Sequence, residues 1–415
     1  MEFGQTPVRI GNKAGSAETA TSAETLPTRV ILLFAVACGL SVANIYYAQP
    51  LLDTMARDFA VSPASIGIVM TMTQIGYGVG LIFIVPLGDL IDRRALIVGQ
   101  AVLSVAALIA VGLAPTAAVL LTAMAAVGLL AVVVQVLVAF AATLAAPHER
   151  GSVVGMVTSG VVIGILLARF VSGALADLAG WRSVYLVSAV MTLVMAGILW
   201  HVLPRHAKPA ATSSYPQLLL SLFQLFREEP VLRVRAVLAL LIFACFNVLW
   251  TSMVLPLSAP PWSLSHTQVG LFGLAGAAGA LAAGRAGHLA DRGLGQWTTG
   301  IALTLMLFAW IPVALMGVSL WALIIGVVVL DFAMQAVHVT NQSLIFAVGP
   351  EARSRLVGGY MVFYSIGSAT GAIASTMVYA WAGWLGVCCL GAGISATALL
   401  FWAATRHLTP AGSAD

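Results

Sequence analysis

Two charged side chains, Arg169 and Asp331, stand inside long apolar runs, where an ion costs a few kcal/mol unless it faces a cavity or a partner. Asp331 is followed by Gln335, His338 and Gln342, a spacing of i, i+4, i+7, i+11 that puts four polar groups on one face of a helix. Such a face suits water or a polar solute. A carboxylate there can take up and release a proton, which makes Asp331 the candidate proton-coupling group. Arg169 lies at a similar depth, within a few residues at ~1.5 Å each, and is its candidate partner. The same two charges also fit a structural salt bridge, and His338 fits either a proton carrier or a satisfied structural histidine. Further polar or amphipathic groups within apolar runs are candidates for lining a cavity: Asn44, Tyr47, Gln74, Tyr77, Gln135, Asn247, Trp250, Tyr360 and Tyr364.

The elements that must position these residues are membrane spans. Only 8% of the 415 residues are charged and 60% are hydrophobic, with a mean hydropathy of +1.02. A hydrocarbon layer of roughly 30 Å takes about 20 apolar residues per helix. The chain offers twelve such runs, near 29–51, 65–87, 95–115, 117–145, 153–178, 183–203, 233–256, 267–287, 297–317, 319–346, 356–380 and 382–404. The apolar runs are continuous rather than alternating, which excludes a β-barrel. An even count puts both termini on one side. The loops of that side hold nearly all the Arg and Lys, including Arg93, Arg94, Arg233, Arg235, Arg292, Arg353 and Arg355, and the other side has Arg57 and Arg182. By the positive-inside rule both termini are expected in the cytoplasm.

Residues 1–28 and 405–415 read as tails. The Pro- and Ser-containing segment 204–232, with a short amphipathic stretch from Leu218 to Phe226, reads as a linker between bundles at 29–203 and 233–404. The bundles are repeats. Pro147, Arg150, Gly155, Gly164, Ser172, Gly180 and Trp181 recur as Pro350, Arg353, Gly358, Gly367, Ser375, Gly383 and Trp384, and the Asp89 loop recurs at Asp291. Parallel repeats predict two six-helix bundles related by a pseudo-two-fold axis along the membrane normal, with any central site between them.

The scattered basic residues exclude a nucleic-acid interface. The four cysteines and seven histidines lack metal-ligand spacing, so no metal or other cofactor is expected. There is no phosphate-binding G-x-x-x-x-G-K-[ST] loop, and no clustered catalytic set of the kind a membrane enzyme needs.

The run from Val85 through Leu87, Asp89, Arg93 and Arg94, repeated around Asp291 and Arg292, resembles the loop signature of the major facilitator superfamily, and the resemblance covers nearly the whole chain. It implies an all-α fold of twelve membrane helices in two bundles, with Asp89, Arg93, Arg94, Asp291 and Arg292 as a cytoplasmic gate. Asp89 would hold the second span against the other bundle. Asn44 to Leu52, with Leu330, Asp331, Asn341 and Gln342, is similar to a bacterial branch of drug or sugar efflux permeases, which implies the inner membrane of a bacterial cell. The small residues Gly160, Gly164, Ala168, Ser172 and Gly173 resemble the motif of drug:proton antiporters, although Arg169 stands where that motif has proline. The expected function is alternating-access secondary transport by a monomer, as proton-coupled export of a small amphiphilic molecule. Transport of a zwitterionic metabolite such as an amino acid, or of a sugar, in either direction is the alternative.

Overall fold

A computed structural model describes residues 27–146, 149–204, 214–283, 289–348 and 353–408 of the chain, and all its regular structure is helical. Ten helical stretches are long and apolar enough to cross a membrane. The last, Leu356–Leu408, has 53 residues, far more than one crossing needs, and it reverses at Gly383, whose φ of 63° suits a residue without a Cβ. His266–Ala282, with 17 described residues, supplies the remaining crossing. Twelve spans result.

The first span, Thr28–Tyr46, continues through a tight turn into Leu52–Asp58. The second is Ile68–Phe83, the third Arg93–Gly112, the fourth Ala117–Ala131 with Val133–Leu144, the fifth Arg150–Ala179 and the sixth Trp181–Val202. In the second bundle the seventh span is Pro230–Ser252, the eighth His266–Ala282, the ninth Gly295–Phe308 and the tenth Leu320–Val348. The eleventh and twelfth lie before and after Gly383. Between the bundles, Tyr215–Glu228 forms a helix that opens with a Ser214/Gln217 capping box. Its Tyr215 hydroxyl donates to the Phe83 carbonyl at the end of the second span.

Lipid gives helices no hydrophobic reason to associate, so close approach depends on small residues. A Cβ at Gly160 or Gly164 would strike the Ala35 or Gly39 carbonyl, which seats the fifth span on the first. Gly367 and Gly371 seat the eleventh span on the seventh in the same way, against Leu240 and Ala244. The bundles meet where the fifth span packs on the eighth and the second on the eleventh. Advancing the fifth–eighth pair by six spans turns it into the eleventh–second pair, as a two-fold relation requires.

Candidate functional site

Arg169 is 2% exposed and Asp331 3% exposed, and they lie on either side of Trp250 from the seventh span. The guanidinium carbon stands 3.8 Å from the centre of the indole ring, and the indole Nε1 donates to Asp331 Oδ1 at 3.0 Å. No direct ion pair joins the two charges among the described residues, contrary to the salt bridge that their depth suggested. The aromatic quadrupole explains the arrangement: the negative ring face receives the cation while the positive edge meets the carboxylate. Arg169 also donates from Nε to Gln49 Oε1 at 2.7 Å and lies near the Tyr46 and Phe246 rings. Gly276 of the eighth span touches both Asp331 and Trp250, and a Cβ there would collide with the carboxylate.

From Tyr46 a polar and aromatic chain runs toward the fourth and tenth spans. The Tyr46 and Tyr364 hydroxyls share a 2.6 Å hydrogen bond, Tyr364 packs edge-on against Tyr77 and Phe243, and Gln135 Nε2 donates to the Tyr77 hydroxyl at 3.2 Å. Gln74 is fully buried beside this cluster, and its backbone carbonyl accepts from the Ser365 hydroxyl. His338 Nδ1 meets the Tyr360 hydroxyl at 2.8 Å. Asn341 lies against the same hydroxyl and accepts from Arg235 at 3.3 Å. Gln335 and Gln342 are partly exposed on the tenth span.

Several expected positions differ. Asn44 and Tyr47 turn away from the other bundle toward the sixth span: Asn44 accepts from Ser188 at 2.6 Å, and Tyr47 packs edge-on against Tyr185. Their neighbour Tyr46 takes the central position, about 100° further round the helix. Asn247 bonds back to the Phe243 carbonyl of its own helix. Arg235, read from sequence as a loop cation, is fully buried on the seventh span with Thr299 and Asn341 as partners. Only the placement of Asn341 and Thr299 opposite it could have signalled this, and spacing along one helix does not carry that information.

The expected gate residues bond within their own bundle. Asp89 pairs with Arg93 at 3.2 Å, Arg93 reaches Thr143 and the Ala139 carbonyl of the fourth span, and Arg94 lies over Trp200. Asp89 is half exposed, and among the described residues its side-chain partner is Arg93 of its own bundle rather than a group of the other bundle. Arg292 is exposed, and the side chain of Asp291 lies outside the described residues.

On the face away from the termini, the bundles are joined. His266, at the start of the eighth span, meets Asp177 of the fifth span through Nδ1 at 2.9 Å, and meets Asp53 and Thr54 through Nε2 at 3.2 and 2.8 Å. Asp177 also accepts the backbone N–H groups of His266 and Thr267, capping the eighth helix from the other bundle. Hydrogen bonds to the two aspartates, Asp53 first, hold the His266 imidazole above its ordinary pKa. Nearby, Thr376 bonds the Ala64 carbonyl and the Gly67 N–H, and Thr71 bonds the Ala369 carbonyl. Nothing along the chain points to the His266 cluster, because Asp53, Asp177 and His266 are scattered over three spans.

Sequence comparison matches a profile of the Major Facilitator Superfamily to residues 31–311. The chain belongs to this superfamily. It is therefore a multi-pass membrane transporter of small molecules and not an enzyme. It is 48% identical to the uncharacterized transporter YgaY of Escherichia coli over 91% of this chain and 95% of that one. It is 30% identical to the transporter SCO4007 of Streptomyces coelicolor, over 90% and 86% of the two chains. In fold it resembles a bacterial homolog of the human lysosomal transporter Spinster, solved inward-facing and unoccupied, with a TM-score of 0.74 and 15% identity over 92% of this chain and 97% of that one.

Proposed function

We propose that the protein is a proton-coupled secondary transporter that moves a small amphiphilic molecule by alternating access, with both termini in the cytoplasm of a bacterial cell and Asp331 as the coupling group. The observation that carries this reading is the isolation of Asp331. Its carboxylate is buried between the bundles, no cation lies within ion-pair distance among the described residues, and the Trp250 N–H is its recorded hydrogen-bond donor. A buried carboxylate with one N–H donor and no paired cation can take a proton without breaking an ion pair, and the neutral acid that results needs no counter-ion. The aromatic rings of Tyr46, Tyr77, Phe243, Phe246, Trp250 and Tyr364 supply apolar surface with polar edges, as an amphiphile requires. Export is the direction favoured by the likeness of the fifth-span glycine ladder to the antiporter motif. The bundles are closed against each other on the face away from the termini, while the Asp89 gate bonds within one bundle, so opening toward the termini breaks none of the described Asp89 contacts.

The test is transport in proteoliposomes with an imposed pH gradient. Asp331→Asn is expected to abolish gradient-driven accumulation of amphiphilic fluorescent dyes while leaving exchange across the membrane. Accumulation equal to wild type would remove Asp331 from coupling.

A further inference from the structure

Beside Arg169 lies a small cavity lined by Gln49, Pro50, Trp250, Met253, Val254 and Val269, with space for about one water molecule. Two donors among the residues that line it lack a partner among the described residues: Arg169 Nη2 and Gln49 Nε2. Both side chains are at least 98% buried. A buried donor left without an acceptor is costly, and a guanidinium nitrogen more so than an amide. The rest of the lining is apolar. Among the described residues, the spans hold a second buried guanidinium, Arg235, besides the carboxylate of Asp331, and Asp331 faces the far edge of the indole. Charge and hydrogen-bonding capacity therefore lack the same thing, a negatively charged acceptor.

We infer that the transported molecule is an organic anion, with a carboxylate or sulfonate head taken by Arg169 Nη2 and Gln49 Nε2 and an apolar body against Trp250, Met253, Val254 and Val269. This rests on the reading above that the space around Arg169 and Trp250 is the transport site, and it narrows the substrate class. Arg169 is already oriented by its Nε bond to Gln49 and by the Trp250 face, so its outer nitrogen is fixed before the ligand arrives. The unbranched Met253 side chain is the wall that can yield to a head larger than water.

The test uses three naphthalene probes of equal size on the purified protein in lipid nanodiscs: naphthalene-2-carboxylate, naphthalene-2-carboxamide and 2-naphthylmethylammonium. The carboxylate is expected to raise the melting temperature in a saturable way, and the other two are expected to leave it unchanged at the same concentration. Gln49→Leu removes one donor from a charged contact without adding charge and should weaken carboxylate binding about tenfold or more. Arg169→Gln should abolish it, and the uncharged Gln49 variant keeps the test decisive if that protein folds poorly. Equal stabilisation by all three probes, preference for the ammonium, or carboxylate binding unchanged in Gln49→Leu would overturn the assignment and leave water as the acceptor of both donors. Transport of the same probes separates this from the parent reading. Gradient-driven accumulation of the ammonium without carboxylate binding overturns the anion and leaves proton-coupled transport standing. Carboxylate binding without transport of any probe supports the anion site and overturns the transport role.

Discussion

Arg235 is the most demanding residue of the interior. It is fully buried, Nη1 has hydrogen-bond acceptors in Thr299 and Asn341, and Nε has none among the described residues. An uncompensated buried cation costs several kcal/mol, so Arg235→Met, which keeps the length and removes the charge, is expected to raise thermal stability while lowering transport. A melting curve read beside a transport assay checks this, and a lowered melting temperature would make Arg235 a structural group. Arg169 and Asp331 are legible in sequence because each stands in the middle of an apolar run rather than near its end. Arg235 is not, because an arginine one turn into a helix that follows a basic linker looks the same as a loop cation. The choice of Tyr47 over Tyr46 failed for a related reason: the first span is apolar nearly all the way round, so its pattern leaves the rotational phase undefined.

Among the elements, the eighth helix is expected to change its setting with pH. The His266 pKa is raised in the closed form by Asp53 and Asp177, with Arg57 pairing Asp53 from the solvent side at 2.9 Å and Thr54 on the same ring nitrogen. When the face opens and the contacts part, the imidazole returns toward about 6.5. The charged contacts therefore stabilise closure fully below about pH 6.5, and this contribution is lost as pH rises through the higher closed-state value. Spin labels at Ser62 and Ser263 in a cysteine-free background should report a longer separation at pH 9 than at pH 5.5, and His266→Gln should flatten the difference. A second handle is steric. Gly173 lies against the His266 carbonyl, so Gly173→Ala forces the fifth and eighth spans apart. Overpacking of this kind costs about 1–3 kcal/mol and should shift the same labels to the open distance at pH 5.5. An unchanged distribution would place the pivot elsewhere.

For the whole molecule, the architecture was readable at the level of repeats. Gly180 and Gly383 occupy equivalent places and both end a span with positive φ, and the glycine ladders dock the fifth span on the first and the eleventh on the seventh. Composition and the recurrence of small residues carry that information along the chain. What lay beyond the sequence is everything decided across the two-fold axis. The Trp250 indole between the charges and the capping of the eighth helix by Asp177 each depend on which faces of unconnected helices meet, and each span specifies only its own half of that contact.

The single-residue reversals at Gly180 and Gly383 have a practical consequence for reagents directed at the face away from the termini. Two of the turns there present almost nothing for an antibody loop to grip. The longer connections, 59–67 and 259–265, flank His266 on either side of the join between the bundles. A nanobody raised against that surface will therefore sit astride the join, and reagents selected merely for binding should be enriched in conformational inhibitors.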